Sequence, residues 1–297
     1  MSPFREKLRH AARARRSLLC VGLDPDPALL PPSLLDGQAV PDAIIAFNRA
    51  IIEATADLVC AYKPNLAFYE ALGRRAFEVL AETLAVIPGD VVTIADAKRG
   101  DIGNTARMYA RALFDTLGCD AVTANPYLGY DALEPFLAYQ DRGVFVLCRT
   151  SNPGASDVQD LQVLAEGAAP RPLYEHVAEL VNRWNERGNC GLVVGATYPR
   201  ELRRVREICP HVPILIPGIG AQAGDLEAAV QAGVDASGEL AVINASRSVL
   251  YASRGEDFAA AARAAARALR DAINSARRAI GSREGHDTVG NVANDNP

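Results

Sequence analysis

This chain lacks an excess of cations. Its 31 lysines and arginines are outnumbered by 36 aspartates and glutamates, for a net charge of -5. That balance leaves no basic footprint for a nucleic-acid partner. Apolar runs stay under ten residues, far short of the roughly 20 that a membrane-spanning helix needs. Only four histidines occur (His10, His176, His211 and His286), and they are widely scattered, so no zinc-type spacing exists. The six cysteines (Cys20, Cys60, Cys119, Cys148, Cys190 and Cys209) form no C-x-x-C pair. Four lie in or beside apolar runs and read as buried, reduced thiols of a cytoplasmic protein.

The 297 residues are 49% hydrophobic and 23% charged, ordinary globular material for one large domain or two small ones. The opening "MSPFREKLRHAARARRSLLC" is arginine-rich and superficially like a transit peptide. It carries Glu6, however, and almost no Ser or Thr. Arg5, Arg9, Arg13 and Arg16 recur at helical spacing and predict a first helix with a solvated basic face.

Eight strand-length apolar runs follow, at 17–23, 57–62, 91–95, 120–124, 143–148, 190–196, 213–218 and 240–245. Most are continuous rather than alternating, as expected of strands covered on both faces. Helical patterns separate them. One spans 41–56, with Asp42 near its start and Ile44, Ile45, Ile51 and Ile52 on one stripe; another ends on Gly188, a suitable C-cap. The last, about Asp257 to Ile280, is rich in Ala and Arg.

This alternation predicts a single-domain α/β fold, a (β/α)8 barrel over residues 1–280 with an N-terminal helix. A doubly wound open sheet is the alternative. Residues 281–297 are polar, rich in Asn and Gly and without periodicity, and are expected to form a disordered tail. The longest connection, 149 to about 171, has the length of a functional lid.

In such a barrel chemistry collects where strands end. The first run ends in Asp24, the second in Lys63, and the third in Asp96 and Lys98 with Asp101 beyond. The fifth leads into Arg149, Thr150 and Ser151. Each polar residue has a bland reading alone: Asp24 as a turn former, Lys63 and Arg247 as surface charges, Asp101 as the cap of the following helix. What favours function is their common face. Asp96 and Lys98, two apart on a strand, point to one side, and such charges are costly to bury without a task. Gly218 to Gly224, followed by a helix, and Ser246-Arg247 occupy the barrel's usual phosphate location after strands 7 and 8. The residues alone therefore predict a barrel enzyme for a phosphorylated small molecule, with Lys98 as an acid held between carboxylates.

The motifs "CVGLDPDP", "YKPN", "DAKRGDI", "TSNPGA", "VVGAT", "PGIGAQAGD" and "NASRSVLY" resemble those of the orotidine 5'-phosphate decarboxylase family over residues 18 to 251. The opening segment is similar to its longer bacterial subgroup. The resemblance implies removal of the C6 carboxylate of orotidine 5'-phosphate to leave uridine 5'-phosphate and carbon dioxide, in UMP biosynthesis, with no metal and no cofactor. It implies that Lys98 stabilises and protonates the C6 carbanion, that Asp96 stands beside the substrate carboxylate, that Lys63 bridges the acids and the ribose, and that Asp24 binds a ribose hydroxyl. Asp101, Ile102 and Thr105 would enter a neighbouring subunit's site, giving a homodimer with shared active sites. Ser151 would read the pyrimidine edge, and Gln222, Ser246 and Arg247 would hold the phosphate. Ser246 departs from the family, because many relatives have Gly before the arginine. Arg99 and Gly100 receive no role.

Related sugar-phosphate decarboxylases and aldolases share D-x-K-x-x-D but hold Mg²⁺ with a carboxylate at the second strand end. Here that position is Lys63, which cannot ligate a metal while charged. A catalytically silent phosphate-binding barrel would keep Gln222 and Arg247 but have no need of Lys98.

Overall fold

The computed structural model describes residues 3–164, 169–219 and 223–284. Eight parallel strands, β1 (Leu19–Leu23), β2 (Ala61–Pro64), β3 (Val92–Arg99), β4 (Ala121–Ala124), β5 (Gly143–Arg149), β6 (Cys190–Val194), β7 (Ile214–Pro217) and β8 (Ala241–Ala245), form a closed barrel. Closure is made by β1 against β8, with Leu19 opposite Ile243, which excludes the open sheet. Residues on both faces of β1, β6 and β8 are buried, the physical reason their sequences run apolar without alternation.

Helices alternate with the strands. They include α1 (Pro3–Arg15), α2 (Val40–Thr55), α3 (Ala76–Val86), α4 (Gly103–Arg111), α5 (Tyr130–Leu137), α6 (Leu173–Trp184), α7 (Pro199–Ile208), α8 (Ala223–Gly233) and α9 (Phe258–Glu284). In α2 a proline opens the first turn and Asp42 complements its N-terminal partial charge. Its buried Asn48 donates to Tyr69 Oη (3.1 Å) and Thr83 Oγ1 (3.0 Å). Gly188, at φ +72°, ends the turn after α6, where a left-handed residue is needed. Among the described residues no helix is long and apolar enough to cross a membrane.

Three expectations change. The basic face of α1 is not simply solvated. Arg9 reaches Asp235 (3.2 Å) and Arg13 reaches Glu239 (2.7 Å), while Lys7 reaches Asp120 (2.6 Å). With Phe4 edge-on to Phe145 at 5.9 Å, α1 closes the N-terminal mouth of the barrel. The second strand begins at Ala61 rather than near 57, because the chain is still turning at Leu58 (N–H to Thr55 O, 2.9 Å) while Arg263 holds Asp57. The last helix continues to Glu284, four residues past its expected end at Ile280; residues 285–297 lie outside the described residues.

Candidate active site

A single cleft opens at the C-terminal ends of the strands. It has two lobes sharing Lys63, Asp96 and Pro217. One lobe, about 480 Å³, also carries Asp24, Gly218, Asn244, Ser246 and Arg247. The other, about 500 Å³, carries Lys98, Thr123, Thr150, Ser151 and Gln159.

Charges concentrate where the lobes meet. Lys63 Nζ donates to Asp96 Oδ2 at 2.8 Å and Lys98 Nζ to Asp96 Oδ1 at 2.6 Å. One carboxylate thus separates two ammonium groups. Thr123 Oγ1 donates to Asp96 Oδ1 (2.9 Å) and accepts from the Lys98 N–H (2.9 Å). Lys63 and Asp96 are buried, while the Lys98 side chain is 48% exposed and faces the cleft. Burial alone would raise the Asp96 pKa. The charges and hydrogen bonds of Lys63 and Lys98 outweigh it and lower the value to about 2. For Lys63, burial would lower the pKa, but Asp96 and Asp24 raise it above the ordinary value. Both groups are therefore charged at neutral pH without any ligand.

Strand geometry delivers these side chains. Lys63 sits opposite Gly22 at the end of β2, and Asp96 bridges to Asn65. Alternation on a regular strand does not explain Lys98. Its φ is +47°, and β3 shifts register against β4 between Ala95 and Arg99. A bulge, the usual device for re-aiming a side chain at a site, turns Lys98 back towards Asp96.

In the first lobe one buried oxygen of Asp24, Oδ1, has no hydrogen-bond partner, and neither has Oδ1 of Asn244. Tyr251 Oη donates to Asp24 O (3.0 Å) and accepts from Asp26 N (2.7 Å), tying the β1 and β8 loops together. Gly218, at φ +91°, turns the chain after β7. Ser246 is accommodated by a second glycine: a Cβ on Gly22 would overlap Ser246 Oγ. Arg247 and Ser248 open a short helical turn (Arg247–Leu250) at the lobe's rim. Gln222 lies outside the described residues.

Asp101 does not join the chain's own charge array. Its Oδ1 accepts from Ile102 N at 2.8 Å, and Ile102 holds the N-cap position of α4 without a side-chain bond. The alternative reading of Asp101 as a helix cap thus fails, because the helix starts two residues beyond it. Ile102 and Thr105 are exposed. Arg99 pairs with Glu70 and covers the Tyr109 ring at 5.2 Å. Gly100 passes Asn125 so closely that a Cβ would lie 3.0 Å from its carbonyl oxygen.

Thr123, Asn244 and Tyr251 receive no individual role in the sequence reading. Thr123 lies one residue from the end of β4, and a threonine inside an apolar run looks like an ordinary β-former. All six cysteines are buried and unpaired. Among the described residues no His/Cys/Asp/Glu cluster is disposed to hold a metal ion.

A sequence model of the orotidine 5'-phosphate decarboxylase / HUMPS family matches residues 17–265. Among curated relatives, an orotidine 5'-phosphate decarboxylase of Dehalococcoides mccartyi (strain ATCC BAA-2266 / KCTC 15142 / 195) is 57% identical over 248 residues, covering 84% of this chain and 88% of its own. One from Thermomicrobium roseum is 57% identical over 249 residues, covering 84% and 86%. Of solved structures, an OMP decarboxylase of Leishmania donovani superposes with a TM-score of 0.80 at 42% identity, over 94% of this chain and 99% of that one. A UMP synthase of the same organism gives 0.81 at 43%, over 93% of this chain and 57% of the synthase.

Proposed function

The chain belongs to the orotidine 5'-phosphate decarboxylase / HUMPS family, and from that membership we infer how its residues perform the family's reaction. The protein is a carboxy-lyase that converts orotidine 5'-phosphate to uridine 5'-phosphate and carbon dioxide in pyrimidine biosynthesis.

We assign the pyrimidine to the Lys98 lobe and the ribose 5-phosphate to the Arg247 lobe. Loss of carbon dioxide leaves an electron pair on C6, an sp2 carbon without an ordinary electron sink. Lys98, whose ammonium faces the cleft, stabilises that charge and delivers the proton to C6. Asp96 stands beside the departing carboxylate, and its repulsion is relieved as carbon dioxide leaves. Lys63 holds Asp96 ionised and reaches the ribose, whose hydroxyl donates to the Asp24 carboxylate lining the same lobe. Ser151 meets the pyrimidine edge. Arg247, with the Ser246 N–H and Gln222, grips the phosphate, and that remote binding energy holds the ring against the charge array. Preorganised charge of this kind needs no rearrangement at the moment of reaction.

The observation that carries this reading is the Lys63–Asp96–Lys98 array, charged and in place before substrate binds. The chemistry has no metal step: Lys63 stands where Mg²⁺-dependent relatives place a carboxylate. The test is an ultraviolet assay of orotidine 5'-phosphate consumption with and without chelator. Turnover insensitive to chelation supports the assignment; turnover abolished by chelation favours the metal-dependent alternative.

We further propose a cytoplasmic homodimer with shared sites. Asp101 bonds only its own neighbour's N–H among the described groups. Around it Ile102, Met108 and Tyr127 are exposed by 57%, 57% and 83%, an apolar surface that suits a second copy. Mixing inactive Lys98→Ala and Asp101→Ala proteins should restore part of the activity, since one site of each mixed dimer then carries both residues. No restoration would argue against sharing.

A further inference from the structure

We propose that Arg149 is a positioning residue for the pyrimidine lobe: its buried guanidinium fixes the segment that presents Ser151 to the base. The inference rests on the lobe assignment above.

Arg149 is the last residue of β5 and only 2% exposed, unusual for arginine. β5 shifts register against β6 between Leu147 and Arg149, so this side chain too is re-aimed by a bulge. Its guanidinium carbon lies 3.9 Å from the Tyr198 ring centroid, a stacked cation–π contact. Around its edge, Nη1 donates to Thr150 O (2.8 Å) and lies 3.5 Å from Gln159 Oε1, and Nη2 donates to Asp160 Oδ2 (3.2 Å). Nε makes a further ion-pair contact with Asp160 Oδ1 at 3.1 Å, off the hydrogen-bond direction.

The contacts continue to both neighbours of Ser151. Gln159 Oε1 accepts from Thr150 N (2.8 Å), Gln159 Nε2 donates to Thr150 Oγ1 (2.9 Å), and Thr150 Oγ1 donates to Asn152 Oδ1 (2.7 Å). Below, Gly195 N donates to Arg149 O at 2.8 Å. A Cβ on Gly195 would come within 2.8 Å of Ser151 Cβ, so the serine is wedged onto the end of β6. Thr150, Ser151, Asn152 and Gln159 all line the lobe. One planar cation thus unites a segment that has little core of its own; Val158 and Leu161 in it are 47% and 57% exposed. Lysine would keep the charge but not the stacked fork.

A role confined to this lobe separates positioning from general stability. UMP fills both lobes, whereas ribose 5-phosphate reaches only the other. Binding of each to wild type, Arg149→Lys and Asp160→Asn is measured by calorimetry. We expect Arg149→Lys to lose about tenfold in UMP affinity, the worth of about one hydrogen bond. Its ribose 5-phosphate affinity should stay within about twofold, and Asp160→Asn should shift in the same sense by less. Equal loss for both ligands, or unchanged UMP binding, overturns the inference. If Arg149→Lys does not fold, Asp160→Asn decides by the same criterion. Wild-type protein that bound neither ligand would overturn the proposed function itself, and this inference with it.

Discussion

Lys98 reaches back to Asp96, Nζ to Oδ1 at 2.6 Å, from a backbone held at φ +47°. A non-glycine residue in that region costs on the order of 1 kcal/mol or more and persists only where its surroundings enforce it. The bulge in β3 and the Thr123 hydroxyl on the Lys98 N–H do so. Positioning that is costly and maintained points to the ammonium as the working group. Lys98→Ala should lower decarboxylation by at least about 10⁴-fold, combining a lost acid and lost charge stabilisation. Calorimetric binding of UMP should remain detectable. Near-normal carbon dioxide release from this variant would remove Lys98 from the role of acid.

Thr123 is the group that holds both partners of that contact. Thr123→Val keeps the shape and the strand preference but leaves Asp96 one hydrogen bond short and the Lys98 N–H without its acceptor. A loss of about one to two kcal/mol, or roughly five- to thirtyfold in kcat, is expected, with KM little changed. Steady-state kinetics checks this. A change confined to KM would place Thr123 in substrate binding instead.

Why Thr123 escapes a reading of the sequence while Asp96 does not is a matter of contrast. A charge directly after an apolar run is conspicuous, and Asp24, Lys63, Asp96 and Arg247 all stand out that way. The barrel is legible for a related reason: strands buried on both faces leave uninterrupted apolar runs, and parallel strands require helices between them. A threonine within "DAVTA" has no such contrast. The turn of Lys98 is equally hidden, because it comes from pairing with β4 and not from local propensity. Arg149 is conspicuous at a strand end, but its partners Asp160 and Tyr198 come from two different loops. The basic face of α1 misled for the same reason, since its carboxylate partners lie more than a hundred residues away.

The charge array also fixes a pH dependence. Asp96 titrates near 2 in the folded protein against roughly 3.9 unfolded. The unfolded chain therefore takes up its proton first as pH falls. Stability from this group, on the order of 2 kcal/mol, is present above about pH 4 and is lost towards pH 2. Lys63 has a raised folded pKa, so its contribution is complete at neutral pH and fades only in alkali. Urea unfolding from pH 5 to 2 should show stability falling with acid, and a shallower fall for Asp96→Asn. Identical slopes would mean that Asp96 is not held ionised by its lysines. Exposed carboxylates paired with arginines, such as Asp42 and Asp57, add a background shared by both proteins.

Arg247 lies at the rim of the lobe assigned to phosphate, and its worth there should appear only when a phosphate is present. A charge-assisted hydrogen bond contributes about 1.5–3 kcal/mol, or roughly 10- to 150-fold. Arg247→Ala should lower kcat/KM for orotidine 5'-phosphate by that much and leave the slow reaction of orotidine, the bare nucleoside, unchanged. Equal losses on the two substrates would take Arg247 out of the phosphate site.

Ser246 and Gly22 form a matched pair. The Ser246 Oγ occupies the space that a Cβ on Gly22 would fill. Asn244 Nδ2 approaches the same Oγ at 3.4 Å, so displacing Ser246 disturbs the wall of the phosphate lobe. Gly22→Ala should therefore raise KM for orotidine 5'-phosphate. Adding Ser246→Gly removes both Ser246 atoms from the path of the new methyl group. Of the three nearest atoms the one left is Asp24 Oδ2, at 3.2 Å from the added carbon, a gap that a shift of a few tenths of an ångström relieves. The double variant should recover most of the lost kcat/KM, a coupling of about 1–3 kcal/mol between contacting residues. If the two substitutions were simply additive, the fit between β1 and the β8 loop would not be what admits a serine at this position.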